Sequence, residues 1–415
     1  MIDSYLDKKN KLTDEFIKFF SNAKFEIHAP EPLIPKTDNT ILFTNSAVAT
    51  LKSYMREESL LYPGFCVCQP CLRTQGLSDI ENQEYMMFFH MAGAFCTSRY
   101  YDNFVENIYE WFTKIISIDP KDIVFHMSND HNDLAEPWNN YDIKILNNQR
   151  PQEEYEWSFG VENVYGHGIT FAFRQHDNSF KDVGNIMAFY LNDKILAYGL
   201  GFGIETIMSR IESCRFPLNM SIIGNIISFT NDNKEMRVYA DLLQSAIVMF
   251  RIGISPGKNG KRHVLRSILK SLVSIINDLK IDIDTVLLHA SKFELLEFIS
   301  GNYATCALEN FLKSKKIKET TNIINQDISI VVNKPINIES IENKISFFLG
   351  DDIKNLKSIE CISVTDFEEL PISAKKRLGI HENQVNLLIR LSFTGIKKEQ
   401  AKIFSEYIFK LVNQK

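Results

Sequence analysis

Residues 65–95 read FCVCQPCLRTQGLSDIENQEYMMFFHMAGAF, and the architecture of the chain turns on this stretch. An apolar run leads to Arg73, a polar segment crosses through Ser78, Asp79, Glu81 and Asn82, and a second apolar run returns from Met86 to Phe89. The pattern predicts two antiparallel strands joined by a polar loop, with a guanidinium at the inner edge of the hairpin. A planar fork of donors at that place suits a phosphate. Alternation with period two puts Cys66 and Cys68 on one strand face and Cys71 on the other. The C-x-C-x-x-C spacing therefore reads as buried free thiols, and no metal ligands are assigned.

Outward from the hairpin, 415 residues are too many for one ordinary core and predict two or three domains. An apolar content of 45% and a charged content of 24% are those of a soluble globular protein. The net charge of -6 means that nucleic-acid contact has to come from local basic patches. Seven scattered cysteines suit a reducing compartment. No leader pattern opens the chain and no apolar run approaches membrane-spanning length, so a cytoplasmic protein without membrane contact is expected.

Residues 4–20 carry apolar side chains at helical spacing, ILFTN at 41–45 reads as a short strand, and residues 101–117 return to helical period before Asp119-Pro120. Strands are expected at 123–127, near 142–146, and at 168–176, 182–191 and 195–203, the last running into a helix over GIETIMSRIES. Successive strands with tight turns and flanking helices predict an α+β fold with an antiparallel sheet, and Gly199, Gly201 and Gly203 do not form a dinucleotide fingerprint. Beyond a compositional change at 231–235 lie two helical patterns, 237–253 and 261–279, joined by Pro-Gly-Lys-Asn-Gly. Arg262, Arg266 and Lys270 recur at i, i+4 and i+8 and share a face, opposite Val264, Leu265, Ile268 and Leu272. With Lys258 and Lys261 they are candidates for contact with a phosphate backbone. After a charged connector at 312–320, strand, helix, two strands and helix follow over 327–333, 338–350, 356–370, 383–393 and 397–412, most of a ferredoxin-like unit.

With these residues in view, the first 280 or so resemble the class II alanyl-tRNA synthetases. The resemblance is carried by ILFTNSAV at 41–48, by CQPCLR, SDIEN and FFHMAGAF in the hairpin, by GLGFGIE ending at Glu205, and by RVYAD with GISPGKNGKRHVLRSILKS at 253–271. Residues from about 327 to 412 resemble the ferredoxin-fold anticodon-binding domain that ends phenylalanyl-tRNA synthetases, through SIECISVTDFEELPISAKKRLGI and VNLLIRLSF. The resemblance implies a class II catalytic domain over 1–230, a helical tRNA-binding domain over 231–320 and an anticodon-binding-like domain over 321–415. It implies an ATP-dependent ligase that forms an aminoacyl-adenylate and charges tRNA. The alternatives are a non-catalytic paralogue that binds tRNA or an amino acid, and a ligase that hands the acyl group to a carrier protein or small amine.

By that resemblance Arg73 grips the α-phosphate of ATP, and Glu205 joins it as a catalytic residue. Phe88, Gly201 and Gly203 belong to the nucleotide site, and Asp182 and Glu205 are its magnesium-side carboxylates. The arginine that follows Gly-x-Gly-φ-Glu in the family stands here at Thr206, and Arg210 and Arg174 are the candidates to replace it. An arginine of the returning strand stands at Glu84, and the acid that follows it at His90. The aspartate that holds the substrate amino group falls at Gly199, and a pocket tryptophan at Gly184. These two glycines are expected to enlarge the pocket, so alanine does not carry over as the substrate. His90, Gly184, Asn185, Gly199 and His167, the last between two glycines, are the expected amino-acid contacts. Lys375, Lys376 and Arg377 form a basic turn expected to meet RNA.

Overall fold

The computed structural model describes residues 2–36, 38, 40–57, 60, 62–74, 77, 84–159, 162–228, 233–299, 302–319, 324–336, 340–341, 345, 355–393, 396 and 398–413. They form two compact units, Met1–Glu309 and Asn310–Lys415. The division between the units falls inside the span 231–320 that was expected to form a helical domain.

The strands of the first unit are β1 (Glu26–Ile27), β2 (Gly64–Leu72), β3 (Phe88–Thr97), β4 (Ile123–Met127), β5 (Lys144–Asn147), β6 (Glu156–Ser158), β7 (Val164–Arg174), β8 (Phe180–Leu191) and β9 (Lys194–Gly203). They form one sheet in the order β1-β2-β3-β9-β8-β7-β4-β5, with β6 on β7. Pairing is antiparallel throughout the centre and parallel only for β1 with β2 and β4 with β5. The expected hairpin is β2 with β3, in a register that sets Cys66 against Ala94 and Cys71 against Phe89. Its polar crossing at Ser78, Asp79, Glu81 and Asn82 lies outside the described residues.

Directly opposed residues share a sheet face. One row runs through Val67, Gly93, Gly201, Asn185 and Thr170, and the adjacent row, on the other face, through Cys68, Ala92, Phe202, Gly184 and Phe171. Helix α1 (Ile2–Asn22) covers the second face, where Phe16 meets Phe202 and Trp111 edge-on at 5.4 and 5.3 Å. Helix α2 (Val48–Glu57) covers only one end of the first face, with Leu51 and Met55 packed against Phe65, Val67 and Phe95. The other end, around Met91, Gly201 and Gly203, is left for the cavity described below.

Helix α3 (Tyr101–Glu110) lays Tyr101 on Tyr198, ring centroids 3.6 Å apart, and the chain continues through a single wider turn at Trp111–Ile115. After α4 (Asn132–Ala135) and the sheet come α5 (Ile204–Ile211) and α6 (Ile222–Ile227). Helix α7 (Lys234–Arg251) starts at Asn233, whose side chain accepts from the Met236 N–H, and its residues 238–250 are all buried. Helix α8 (Gly260–Leu279) is amphipathic as expected, burying Leu265, Ile268, Leu269 and Leu272. Two further helices, α9 (Ile283–Phe298) and α10 (Tyr303–Glu319), went unread, and α10 takes in most of the supposed connector. The buried Glu294 of α9 accepts from the Ala304 and Thr305 N–H groups at 2.8 Å each, so it caps the start of α10. Nor is ILFTN a strand: Thr44 bonds Leu33 and Leu72 individually, outside any ladder.

The second unit has a three-stranded antiparallel sheet, β10 (Ile324–Asn333), β12 (Gln384–Phe393) and β11 (Leu356–Asp366), with β12 in the middle. Helices α11 (Ile372–Leu378) and α12 (Lys398–Asn413) follow β11 and β12. The expected helix over 338–350 falls outside the described residues except at 340, 341 and 345. Ile330, Leu387, Leu391, Phe393 and Ile408 make its core.

Candidate functional site: a cavity on the hairpin face of the sheet

At the uncovered end of the first face lies a cavity of about 550 Å³. The hairpin supplies Arg73, Phe89 and Met91, the sheet supplies Thr170, Asp182, Gly184, Asn185, Gly201 and Gly203, and Arg150, Glu154, Trp157 and Thr206 complete the wall. The side chain of Arg73 lies over the Phe89 ring, its guanidinium carbon 5.0 Å from the centroid. Its Nε donates to the Asn45 carbonyl at 2.8 Å. Among the described residues no carboxylate lies within ion-pair distance of this guanidinium. Of the expected residues, Arg73, Asp182, Gly184, Asn185, Gly201 and Gly203 come together here.

Phe88 does not join them. Period-two alternation turns Phe89 and Met91 toward the cavity, and Phe88 and His90 to the other face, where Phe88 meets Phe293 edge-on. His90 is held there by two acids: Nδ1 lies 2.9 Å from Glu205 Oε1 and Nε2 3.0 Å from Glu297 Oε1. The backbone N–H of His90 also donates to Glu205 Oε2 at 2.9 Å, and Lys9 Nζ sits 3.8 Å from Glu205 and 3.5 Å from Glu297. Burial and Lys9 press the imidazole toward neutrality, but Glu297 and Glu205 outweigh them and hold its pKa up at about 9. Burial raises the Glu297 carboxyl, yet His90 and Lys9 bring it down to about 2. Glu205 and His90 are thus a buried tie between four elements, α1, β3, α5 and α9, away from the cavity. Lys9 and Glu297 carry no local signal that links them to the hairpin.

Arg150, unread in the sequence, binds both oxygens of Asp182 at 2.7 and 2.8 Å and reaches Glu154 at 3.7 Å. Thr170 Oγ1 donates to Asn185 Oδ1 at 2.9 Å. The carboxylates expected beside magnesium do not fit a protein-held ion. Asp182 is saturated by Arg150, Glu205 is enclosed by His90 and Lys9, and among the described residues no three metal-binding side chains converge.

The two glycines expected to enlarge the pocket do not. A Cβ on Gly199 would lie 2.6 Å from Phe95 Cδ1 and 3.0 Å from Phe189 Cε2, so two rings already fill the space. A Cβ on Gly184 would lie 2.7 Å from Phe202 Cβ and 2.9 Å from the Phe171 ring, on the opposite face. Gly201 differs, since its Cβ would meet only the Met91 methyl at 3.1 Å and backbone at 4.0 Å, so it keeps the cavity floor bare.

Neither proposed substitute arginine lines the cavity. Arg174 is tied to Asp122 at 2.8 Å and to the Lys121 carbonyl. Arg210 is buried and donates to the carbonyls of Asp182, Cys214 and Arg215. His167 faces away as well. Its ring stacks on His131 at 3.7 Å, and its Nε2 sits 3.1 Å from the Tyr190 hydroxyl and 3.4 Å from Asp133. Lys258, Arg262, Arg266 and Lys270 are exposed and Lys261 half-buried, with Arg262 folded back to the Ser255 carbonyl at 3.4 Å. Lys376 and Arg377 are exposed on α11, and Lys375 lies 4.2 Å over the Phe367 ring.

Residues 11–167 match the family described as tRNA synthetases class II (A). An alanine–tRNA ligase of Buchnera aphidicola subsp. Schizaphis graminum is 24% identical over 477 residues, covering 96% of this chain and 53% of that protein. One from Wolbachia pipientis wMel is 25% identical over 349 residues, covering 76% and 39%. The chain thus spans about half the length, or less, of these curated relatives. Among solved structures, a pyrrolysyl tRNA synthetase of Desulfitobacterium hafniense aligns over 52% of this chain and 72% of that one at 13% identity, with a TM-score of 0.33. No helix among the described residues is long and apolar enough to cross a membrane.

Proposed function

We propose that this chain, similar over residues 11–167 to the class II synthetases, is an ATP-dependent ligase that activates an amino acid as its adenylate and transfers it to tRNA. The observation that carries the reading is Arg73, a guanidinium with no carboxylate partner among the described residues, fixed by the Asn45 carbonyl over the Phe89 ring at the cavity wall. An α-phosphate placed against it gains a charge-assisted, bidentate contact as the amino-acid carboxylate attacks and pyrophosphate leaves. Phe89 offers an apolar face to the nucleotide. The Thr170–Asn185 pair and the floor at Gly201 are the places for an amino acid, and the bare floor and the Arg150–Asp182 pair support one other than alanine. Arg266 and Lys270 on α8, and Lys376 and Arg377 on α11, are the proposed tRNA contacts.

The second reading is a non-catalytic paralogue that binds tRNA or an amino acid. It is favoured by Thr206, which offers no cation to a triphosphate at the head of α5. ATP–pyrophosphate exchange over a panel of amino acids, with and without tRNA, tests the ligase. Exchange with one amino acid, reduced at least about 100-fold by Arg73→Ala, is expected. No exchange under any condition, alongside tight tRNA binding, refutes the ligase in favour of the paralogue.

A further inference from the structure

A second cavity, of about 640 Å³, lies against the other face of the sheet from Arg73. Alternation along β9 puts Tyr198, in its wall, on the face of Phe202 and not on that of Gly201. Its described lining includes four carboxylates, Asp102 and Glu106 one turn apart on α3, Asp133 on α4 and Glu136 just after it, and no lysine or arginine. Asp102 lies in the first turn of α3, where the helix dipole favours an acid, but Glu106 lies a turn further in, and like charges four residues apart repel. Among the described residues Asp102, Glu106 and Glu136 have no hydrogen-bond or ion-pair partner, and Lys114, two turns beyond Glu106, is tied to Glu110. Asp133 accepts from the Tyr190 hydroxyl at 2.6 Å and lies 3.4 Å from His167 Nε2. Burial raises its carboxyl, yet His167 and Tyr190 bring it down to about 2, so it is ionised at neutral pH.

Tyr198 makes this more than an acidic surface. It is 5% exposed and lines the cavity, and among the described residues its hydroxyl has no hydrogen-bond partner, although a polar group at that depth is normally bonded. Burial, with Asp133 and Asp102 nearby, raises the phenol above its ordinary value, so its oxygen stays neutral and able to accept. A compact metal ion is a poor match, since no three metal-binding side chains converge among the described residues. Acids set apart along one wall, with the rings of Tyr101 and Tyr141 in the same lining, suit an extended organic cation.

We propose that this cavity binds an aliphatic polyamine, whose ammonium groups meet Asp102, Glu106, Asp133 and Glu136 and one of which donates to the Tyr198 hydroxyl. A lysine side chain of a partner protein would bring one ammonium to four carboxylates, whereas a polyamine brings several. The inference is independent of the ligase reading, because no described residue lines both cavities.

The test is calorimetric titration of the full chain with spermidine, and with butylamine as the control that carries one ammonium. Glu106→Gln/Glu136→Gln removes two exposed charges from the wall, and Glu368→Gln/Glu382→Gln removes two exposed charges from the second unit. The expected result is one spermidine per chain, bound at least about tenfold more weakly in the wall variant, unchanged in the second-unit variant and about threefold more weakly in Tyr198→Phe, with butylamine at least about tenfold weaker than spermidine. No saturable binding of spermidine, or equal losses in the two double variants, overturns the site, because the amine then responds only to the net charge of the chain. Butylamine that binds as tightly as spermidine overturns the polyamine in favour of a ligand of lysine size. Unchanged affinity in Tyr198→Phe overturns the buried contact. Should Tyr198→Phe fail to fold, the comparison of the two exposed pairs decides.

Discussion

Replacing Glu297 by glutamine removes one of two acids that balance Lys9 and His90 beneath the hairpin, at nearly constant shape. A carboxyl held at about 2 instead of its ordinary 4.5 corresponds to about 3 kcal/mol of stabilisation at neutral pH, at about 1.4 kcal/mol per pH unit. The same figure follows from the cost of breaking a buried pair from one side, about 3–5 kcal/mol, because Lys9 and His90 then face Glu205 alone. All three tryptophans, Trp111, Trp138 and Trp157, lie in the first unit, so fluorescence during urea unfolding reports on that unit. The expected result at pH 7 is a loss of about 3 kcal/mol, with the His90 imidazole, followed by NMR, falling from about 9 toward its ordinary value. The stabilisation by Glu297 is present above pH 4.5 and is lost as pH falls toward 2. That by His90, fully present below pH 6.5, is lost as pH rises through about 9. A loss under about 1 kcal/mol, or an imidazole still titrating near 9 in the variant, would refute the charge balance.

Gly199→Asp, which restores the acid of the alanyl family, is expected to destabilise by about 3 kcal/mol or more, since the new side chain meets Phe95 and Phe189 and buries an unpaired charge; a thermal melt that matches the unmodified protein contradicts the packing. Asp241 of α7 accepts the Met87 N–H at 3.0 and 3.1 Å in a wholly buried place, and burial raises its carboxyl to about 7. Its contribution is therefore fullest below pH 3.8 and is lost as pH rises through 7, so Asp241→Asn should flatten the stability profile between those values; urea midpoints across that range are the measurement. Arg266→Ala and Lys270→Ala are expected to leave stability within about 0.5 kcal/mol and each to lower the slope of log affinity for tRNA against log salt by about one; an unchanged slope removes α8 from the RNA contact.

The α+β class, the hairpin and Arg73 at its inner edge were legible because each rests on local periodicity. Strand alternation over 182–191 and 195–203, the capped helical runs and the basic stripe of α8 need only neighbours a few residues apart. The faces of the first hairpin strand were legible too, since alternation alone separated Cys71 from Cys66 and Cys68. Helices α9 and α10 escaped notice because exposed apolar residues such as Leu288 and Leu295 of α9 and Tyr303 of α10 blur their amphipathic pattern.

What no local pattern held was the identity of the opposing residue. Phe88 and Phe89 are equivalent as letters, and only the face that α2 leaves uncovered makes Phe89 the cavity residue. Gly199 and Gly184 read as lost side chains and therefore as space, but the rings of Phe95, Phe189, Phe171 and Phe202 occupy it. His90 reads as a changed ligand contact, yet Lys9 and Glu297, distant in the chain, make it part of a buried tie. Sequence by itself determined the strands, the hairpin and its arginine, because backbone geometry repeats every two or 3.6 residues. Only the tertiary structure decided which charges meet and which spaces stay open, because partners such as Glu84 with Lys181 and Arg215 are brought together by packing across the whole unit.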